Sequence, residues 1–465
     1  MTIIKFKYLV IFLFVPFFCI SGQVKITGTA PGAEGKRIEV LSYGDLISFQ
    51  EKNIADAMID SLGNFIIDFD LDQTIFANLS IDFHRVEIFF QPSRNYQVKI
   101  EPMNYNEILE IDPFIQSAKL DLTFLEYDPA ELNSLIQSFN IQYDDFLLKN
   151  YKALQDRNKA KLDTFTAHIE STFSNIKDPY LANYIKYKLA GLAQMSQTQN
   201  QAQIGKRYFS DAPILYMNVG YMDFFNQYFE KYILATSRAL KFTDYKTMLE
   251  GAEPYKRIMK ALESDTILRK LQLRELVMLK GLMEMYNSNQ YDQGKIIELM
   301  KTVSLESKYT DNRNIAENMI RMLTKLRPGT AAPGFKLKTR ELKEVTLADF
   351  KGKPVVMNFW TTYCQQCITE MDRMKPIYDK FKEKVAFISI STDKDFSKSV
   401  LFIKLKNDFV WNFLHIGDDY NLLKEYDVRS YPLFVLIDQN GNILQYPADL
   451  PGSGLELALQ RLVNQ

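Results

Sequence analysis

A chain of 465 residues, 46% hydrophobic with 33 Phe and 26 Tyr, has ample material for packed cores and little for long disorder. Its length implies roughly two to four domains. The 57 acidic and 56 basic side chains nearly cancel, which argues against nucleic acid or an anionic membrane surface as partner.

The first stretch, MTIIKFKYLVIFLFVPFFCISGQ, has Lys5 and Lys7, an apolar run from Tyr8 to Ile20, then Ser21, Gly22 and Gln23. That is the order of a secretory signal peptide, with residues 1–22 removed. The run of about 13 residues falls short of the ~20 needed by a spanning helix; an uncleaved anchor is the alternative. Bulky Phe17 and Phe18 fit poorly with lipidation at Cys19. The mature protein then keeps two of its three cysteines, Cys364 and Cys367, and enters an oxidising compartment.

Residues 23–111 read as strands. VKITGTA, KRIEVL, NFIIDFDL, ANLSIDF, VEIFF and YQVKI are short, branched or aromatic, and partly alternating, with turn signals in PGAEG and DSLGN. A β-sandwich-like domain is expected. Across 112–326 the period changes to three and four, as in YLANYIKYKLAGLAQM and LRKLQLRELVMLKGLMEMY, predicting a helical region broken at SNIKDPY, FSDAP and EGAEPY. Its aromatic and Met stripes read as packed helix faces. RPGTAAPGF, 327–335, reads as a linker. Residues 336–465 then alternate strands and helices, the mark of an α/β layer. VVMNFW and VAFISIST are continuous apolar runs, expected for strands buried on both faces.

WTTYCQQCITEM sits where the first of those strands gives way to a helix. The unpaired N–H groups and dipole of a helix start stabilise a thiolate, the attacking form of cysteine. At a pKa of ~8.5 about 3% is thiolate at pH 7; near ~7 it is about half. Cys364 is therefore the expected attacking sulfur. Cys367, one turn on, resolves the mixed disulfide.

The run APGFKLKTRELKEVTLADFKGKPVVMNFWTTYCQQC, together with YDVRSYPLFVLIDQNGNI, resembles the thioredoxin fold, specifically the exported TlpA/ResA-like thiol-disulfide oxidoreductases. The layout before it is similar to the N-terminal extension, a domain of unknown function, of many Bacteroidetes members. The resemblance implies Cys364 and Cys367 as the redox pair, and Pro432 as a cis-proline facing them. Ser430 and Tyr431 would then present backbone to an extended substrate segment. It further implies Glu370 as a residue that moves protons near the site, and Trp360 as a tryptophan beside it. Asn358 stands where ordinary thioredoxin has a buried Asp. Gln365-Gln366, Tyr363 and Asp372 depart from the usual pattern and leave the reduction potential open. The resemblance also implies a periplasmic location, protein disulfides as substrates, a membrane electron donor, and no cofactor beyond the cysteine pair.

Three other readings stay open. A structural zinc site needs about four ligands, and His84, His168 and His415 are scattered over three regions. A thiol peroxidase would use Thr361, three residues before Cys364, but lacks Pro and Arg partners in the expected setting. An envelope binding protein with a secondary redox domain has no motif for or against it.

Overall fold

The computed structural model describes residues 22–82, 84–103, 118–126, 128–210, 212–236, 242–288, 290–417, 419 and 421–464. Residues 1–21 of the predicted signal segment 1–22, Cys19 among them, lie outside the described residues, and Gly22 opens the first strand.

The N-terminal region contains β1 (Gly22–Thr29), β2 (Arg37–Tyr43), β3 (Glu51–Met58), β4 (Asn64–Leu71), β5 (Ile75–Ile81), β6 (His84–Phe90), β7 (Asn95–Ile100), β8 (Ala118–Lys119) and β9 (Leu122–Phe124). They form two sheets, in the orders β4-β1-β7-β9 and β3-β2-β5-β6-β8. Period-two patterning assigns the faces: in β1, Val24 and Ile26 are buried while Gln23 and Lys25 are exposed. Val24, Ile67 and Val98 of one sheet share a core with Val40, Leu79 and Phe90 of the other.

Two features differ from expectation. EKNIADAM forms strand β3 although Ala, Asn and Asp disfavour strands; pairing to β2, from Arg37↔Met58 to Tyr43↔Glu51, supplies what propensity does not. The helical region also starts later than residue 112. β8 still pairs with β6 and β9 with β7, and the first described helix begins at Leu132. Strands this short leave no period to detect.

The helical region comprises α1 (Leu132–Gln155), α2 (Lys159–Thr172), α3 (Pro179–Met195), α4 (Gln201–Gly205), α5 (Val219–Tyr228), α6 (Phe242–Glu250), α7 (Pro254–Leu262), α8 (Leu271–Asn287), α9 (Gln293–Glu306) and α10 (Thr310–Thr324). The break at KDPY works as Pro and Asp chemistry requires: Asp178 caps α3, accepting from Leu181 N, with Pro179 in the first turn. An aromatic core fills the centre, with Phe209 packed on Phe224 at 5.0 Å and on Phe229 at 4.9 Å. The β2–β3 connection enters this core. Leu46 and Ile47 are buried among the helices, and Asp45 accepts from Asn318 Nδ2 of α10 at 2.9 Å.

The C-terminal region contains β10 (Lys336–Thr339), β11 (Glu344–Thr346), β12 (Val355–Trp360), α11 (Gln365–Phe381), β13 (Ala386–Ser391), α12 (Phe396–Leu405), β14 (Asn412–His415), α13 (Asn421–Glu425), β15 (Leu433–Ile437), β16 (Ile443–Gln445) and α14 (Leu455–Val463). One sheet runs β11-β10-β14-β13-β12-β15-β16. β12 is central, parallel to β13 and antiparallel to β15, with all six residues buried. Its two faces serve two cores: Met357 and Phe359 pack on one side, Val356 and Trp360 on the other. The stretch 327–335, expected as a linker, is bound along its length. Gly329 N donates to Ile443 O at 2.8 Å, Ile443 N to Thr330 O at 2.7 Å, and Ala332 N to Gly441 O at 2.9 Å. Pro and Gly there end the helical pattern, but backbone groups still need partners, and the 438–443 hairpin provides them.

Candidate active site

Strand β12 ends at Trp360, and α11 begins at Gln365, so Thr361–Cys364 form the turn between them. Cys364 is the N-cap, with extended backbone at φ −85° and ψ 94°. Its Sγ accepts the Cys367 backbone N–H at 3.1 Å, and its own N–H donates to Thr361 O at 3.2 Å. A sulfur thus occupies the position where Ser or Asp oxygen usually satisfies a helix start. The two cysteines are joined as a disulfide, Cα–Cα 5.2 Å. They differ in exposure: Cys364 is half-buried and flanked by exposed Tyr363, Gln365 and Gln366, whereas Cys367 is fully buried.

Trp360 is fully buried under this turn, its ring 5.2 Å from Phe402. The Tyr431–Pro432 bond is cis. Tyr431 packs in the same apolar cluster as Trp360, Cys364 and Cys367, and its hydroxyl accepts from Thr392 Oγ1 at 2.6 Å. The structure thereby brings together Trp360, Cys364, Cys367 and Tyr431.

Residues 328–446 match the profile of the AhpC/TSA family. The thiol-disulfide oxidoreductase ResA of Bacillus thuringiensis subsp. konkukian is 36% identical over 122 residues, covering 26% of this chain and 69% of that protein. The chain belongs to the ResA-like thiol-disulfide oxidoreductases. ResA of Bacillus subtilis is 34% identical over 119 residues, 25% of this chain and 65% of its own length. Among solved structures, the thioredoxin domain of a thiol-disulfide oxidoreductase from Bacteroides vulgatus is 26% identical, covering 30% of this chain and 99% of that one, with a TM-score of 0.28. All these matches concern the C-terminal thioredoxin fold of this ResA-like oxidoreductase.

Glu370 lies on α11 one turn past Cys367 and is buried. Both of its oxygens are occupied: Oε1 accepts from Arg373 Nη1 at 2.7 Å, and Oε2 from Gly452 N at 2.8 Å. The carboxylate therefore also ties the helix to the turn before α14. Asn358, fully buried on β12, accepts from Ser389 Oγ at 2.6 Å, and Ser389 in turn accepts from Trp411 Nε1 at 2.8 Å. An amide at this position has no proton to exchange near pH 7.

Asp393 carries no motif that marks it in the chain. This buried carboxylate accepts the Thr362 N–H at 3.0 Å, the Thr362 hydroxyl at 2.6 Å and the Ser391 hydroxyl at 2.7 Å. Its carbonyl accepts from His415 Nε2 at 2.6 Å, while His415 Nδ1 accepts from Gly417 N at 2.9 Å, which fixes the Nε2–H tautomer. Asp393 thus clamps the turn that presents Cys364. The available signal was STD at the end of an apolar strand: polar groups just beyond a buried β13 must find partners. Among the described residues, no three His, Cys, Asp or Glu side chains converge as a metal site would require.

Proposed function

We propose that the protein is an exported oxidoreductase that reduces disulfides of partner proteins through Cys364 and Cys367. The observation that carries this reading is the sulfur at the N-cap of α11, taking a backbone N–H, with its partner sulfur buried behind it. The same N–H, together with the helix dipole, favours the anionic form of Cys364 once the pair is reduced.

The exchange then balances as follows. Cys364 Sγ⁻ attacks one sulfur of the partner disulfide; a new S–S bond forms and the other partner sulfur leaves as a thiolate that takes up a proton. Cys367 loses its proton and attacks Cys364 Sγ, breaking the mixed disulfide and releasing the second partner thiol. Two electrons have moved to the partner, and the Cys364–Cys367 disulfide remains. A dithiol electron donor in the membrane, on the outer side, would return the pair to the reduced form. Glu370 is suited to move the Cys367 proton from its place one turn along α11. Tyr431 and Pro432 would receive an extended partner segment, with Trp360 forming the floor of the site.

Export rests on residues 1–22 acting as a signal peptide, and the destination would be the periplasm. The two sheets with a shared core support a β-sandwich-like N-terminal domain. A thiol peroxidase is the second reading, favoured by the AhpC/TSA match and by the buried Thr361 hydroxyl close to Cys364 in the chain.

Equilibration of the Cys364–Cys367 couple against glutathione tests the direction of flow. A potential near the −270 mV of thioredoxin, about, supports reduction; one near about −120 mV, as in DsbA, overturns it in favour of oxidation. Peroxide consumption by Cys367→Ser would instead favour the peroxidase.

A further inference from the structure

The three regions of the chain meet at α13, a few residues before Pro432. Lys424 Nζ of α13 lies 3.3 Å from Glu51 Oε2 at the start of β3. Arg85 of β6 grips the same carboxylate with two guanidinium nitrogens, Nη2 at 3.1 Å from Oε2 and Nη1 on Oε1. From the end of α10, Lys325 Nζ donates to the Lys424 carbonyl at 2.7 Å. The loop that leads into Glu51 is itself fixed in the helical core by Leu46, Ile47 and Asp45. The N-terminal region, through Glu51, and the helical region, through Lys325, therefore each hold α13.

What α13 leads into is the partner-receiving segment. Tyr426 is fully buried, its hydroxyl donating to Pro333 O at 2.6 Å and its carbonyl accepting from Tyr446 at 2.7 Å. Beyond it, Arg429 and Ser430 are exposed, and Tyr431 joins the apolar cluster of the cysteines. Tyr426, packed and hydrogen-bonded, joins α13 to the backbone of 429–431 along the chain, and an extended substrate would need that backbone within hydrogen-bond tolerance.

We propose that Glu51 and Lys424 are positioning residues, through which the N-terminal region sets the 427–432 segment for disulfides carried on protein chains. Rates with protein disulfides depend on this contact; the chemistry of the cysteine pair does not. The inference rests on the dithiol reading given under Proposed function. Glu51 is where the charges balance: burial opposes its ionisation, but Arg85 and Lys424 together hold it below the usual carboxylate range. Without it, two cations would face each other across the contact.

The test compares two probes on the reduced full-length protein: oxidation by insulin, whose disulfides sit in a chain, and by glutathione disulfide, which offers no extended segment. Lys424→Met should slow the insulin reaction about fivefold, the scale of one partly exposed ion pair, and leave the glutathione rate and equilibrium unchanged. Glu51→Gln, at the other end of the contact, should give the same selective loss, and Lys424→Arg should retain the wild-type rates. Equal loss with both probes, or none with either, overturns the proposal. A wild-type protein that exchanges with neither probe removes the dithiol reading itself.

Discussion

Both the helical region and the thioredoxin domain bury acidic side chains, and they use them differently. In the helical region, Glu275 is almost fully buried and receives Tyr255 Oη at 2.7 Å, Ser307 Oγ at 2.6 Å and Asn312 Nδ2 at 2.8 Å. All of these partners are in or between packed helices. The network closes on itself and fixes α8 against α10. In the thioredoxin domain, Asp393 receives a comparable set of donors, but one partner, Thr362, belongs to the turn that carries a half-exposed sulfur. A buried carboxylate must be satisfied in either place. What separates a structural network from one that serves chemistry is whether its last member holds a reactive atom at the surface.

That contrast can be broken at four points. The largest effect is expected at the sulfur itself. Cys364→Ser should lower the reduction of insulin by about a thousandfold or more, since the proposed attacking atom is gone, while Cys367→Ser should accumulate mixed disulfides visible on non-reducing gels. Retained turnover in Cys364→Ser would sink the assignment.

The next largest is in the helical core. Phe209→Ala should cost about 3–5 kcal/mol in denaturant unfolding, because a fully buried ring leaves a cavity among Phe224, Phe225 and Phe229. The equilibrium of the cysteine pair with glutathione should not move. A shift in that equilibrium would show that the two regions are not separable.

Asp393→Ala should destabilise by about 1–3 kcal/mol, the cost of leaving the Thr362 and Ser391 donors unpaired. It should also slow exchange at Cys364, and this joint change distinguishes it from Glu275→Ala, for which only stability should fall. The smallest change in stability is expected at Glu370. Because Arg373 is half exposed, Glu370→Gln should alter stability by under ~1 kcal/mol. Loss of its proposed proton transfer should still slow exchange by about a hundredfold. An unchanged rate across pH 6 to 9 would leave Glu370 as a tie between α11 and Gly452.

Much of this was legible in the chain. VVMNFW reads as a strand buried on both faces, and it is the centre of the sheet. CQQC directly after it reads as a helix start, and Cys364 is the N-cap. Helices α3 and α8 fall on long stretches with apolar residues three and four apart, and Asp178-Pro179 marks the start of α3. Elements whose cause lies elsewhere in the molecule were not legible. β3 has no strand-forming pattern of its own, β8 and β9 are too short to have one, and 327–335 looks free until the hairpin that binds it is folded.

The sequence by itself determined the local order: a buried strand, a turn, two cysteines one helical turn apart, and a proline before the next strand. These follow from side-chain size, period and backbone chemistry within a few residues. Only the tertiary structure decided which carboxylate clamps the turn, and that Glu51 reaches Lys424. Thr362 and Asp393 are 31 positions apart, and Glu51 and Lys424 are 373. Such pairs are selected by packing and by the need to satisfy buried polar groups, and no pattern in a short window of residues encodes either.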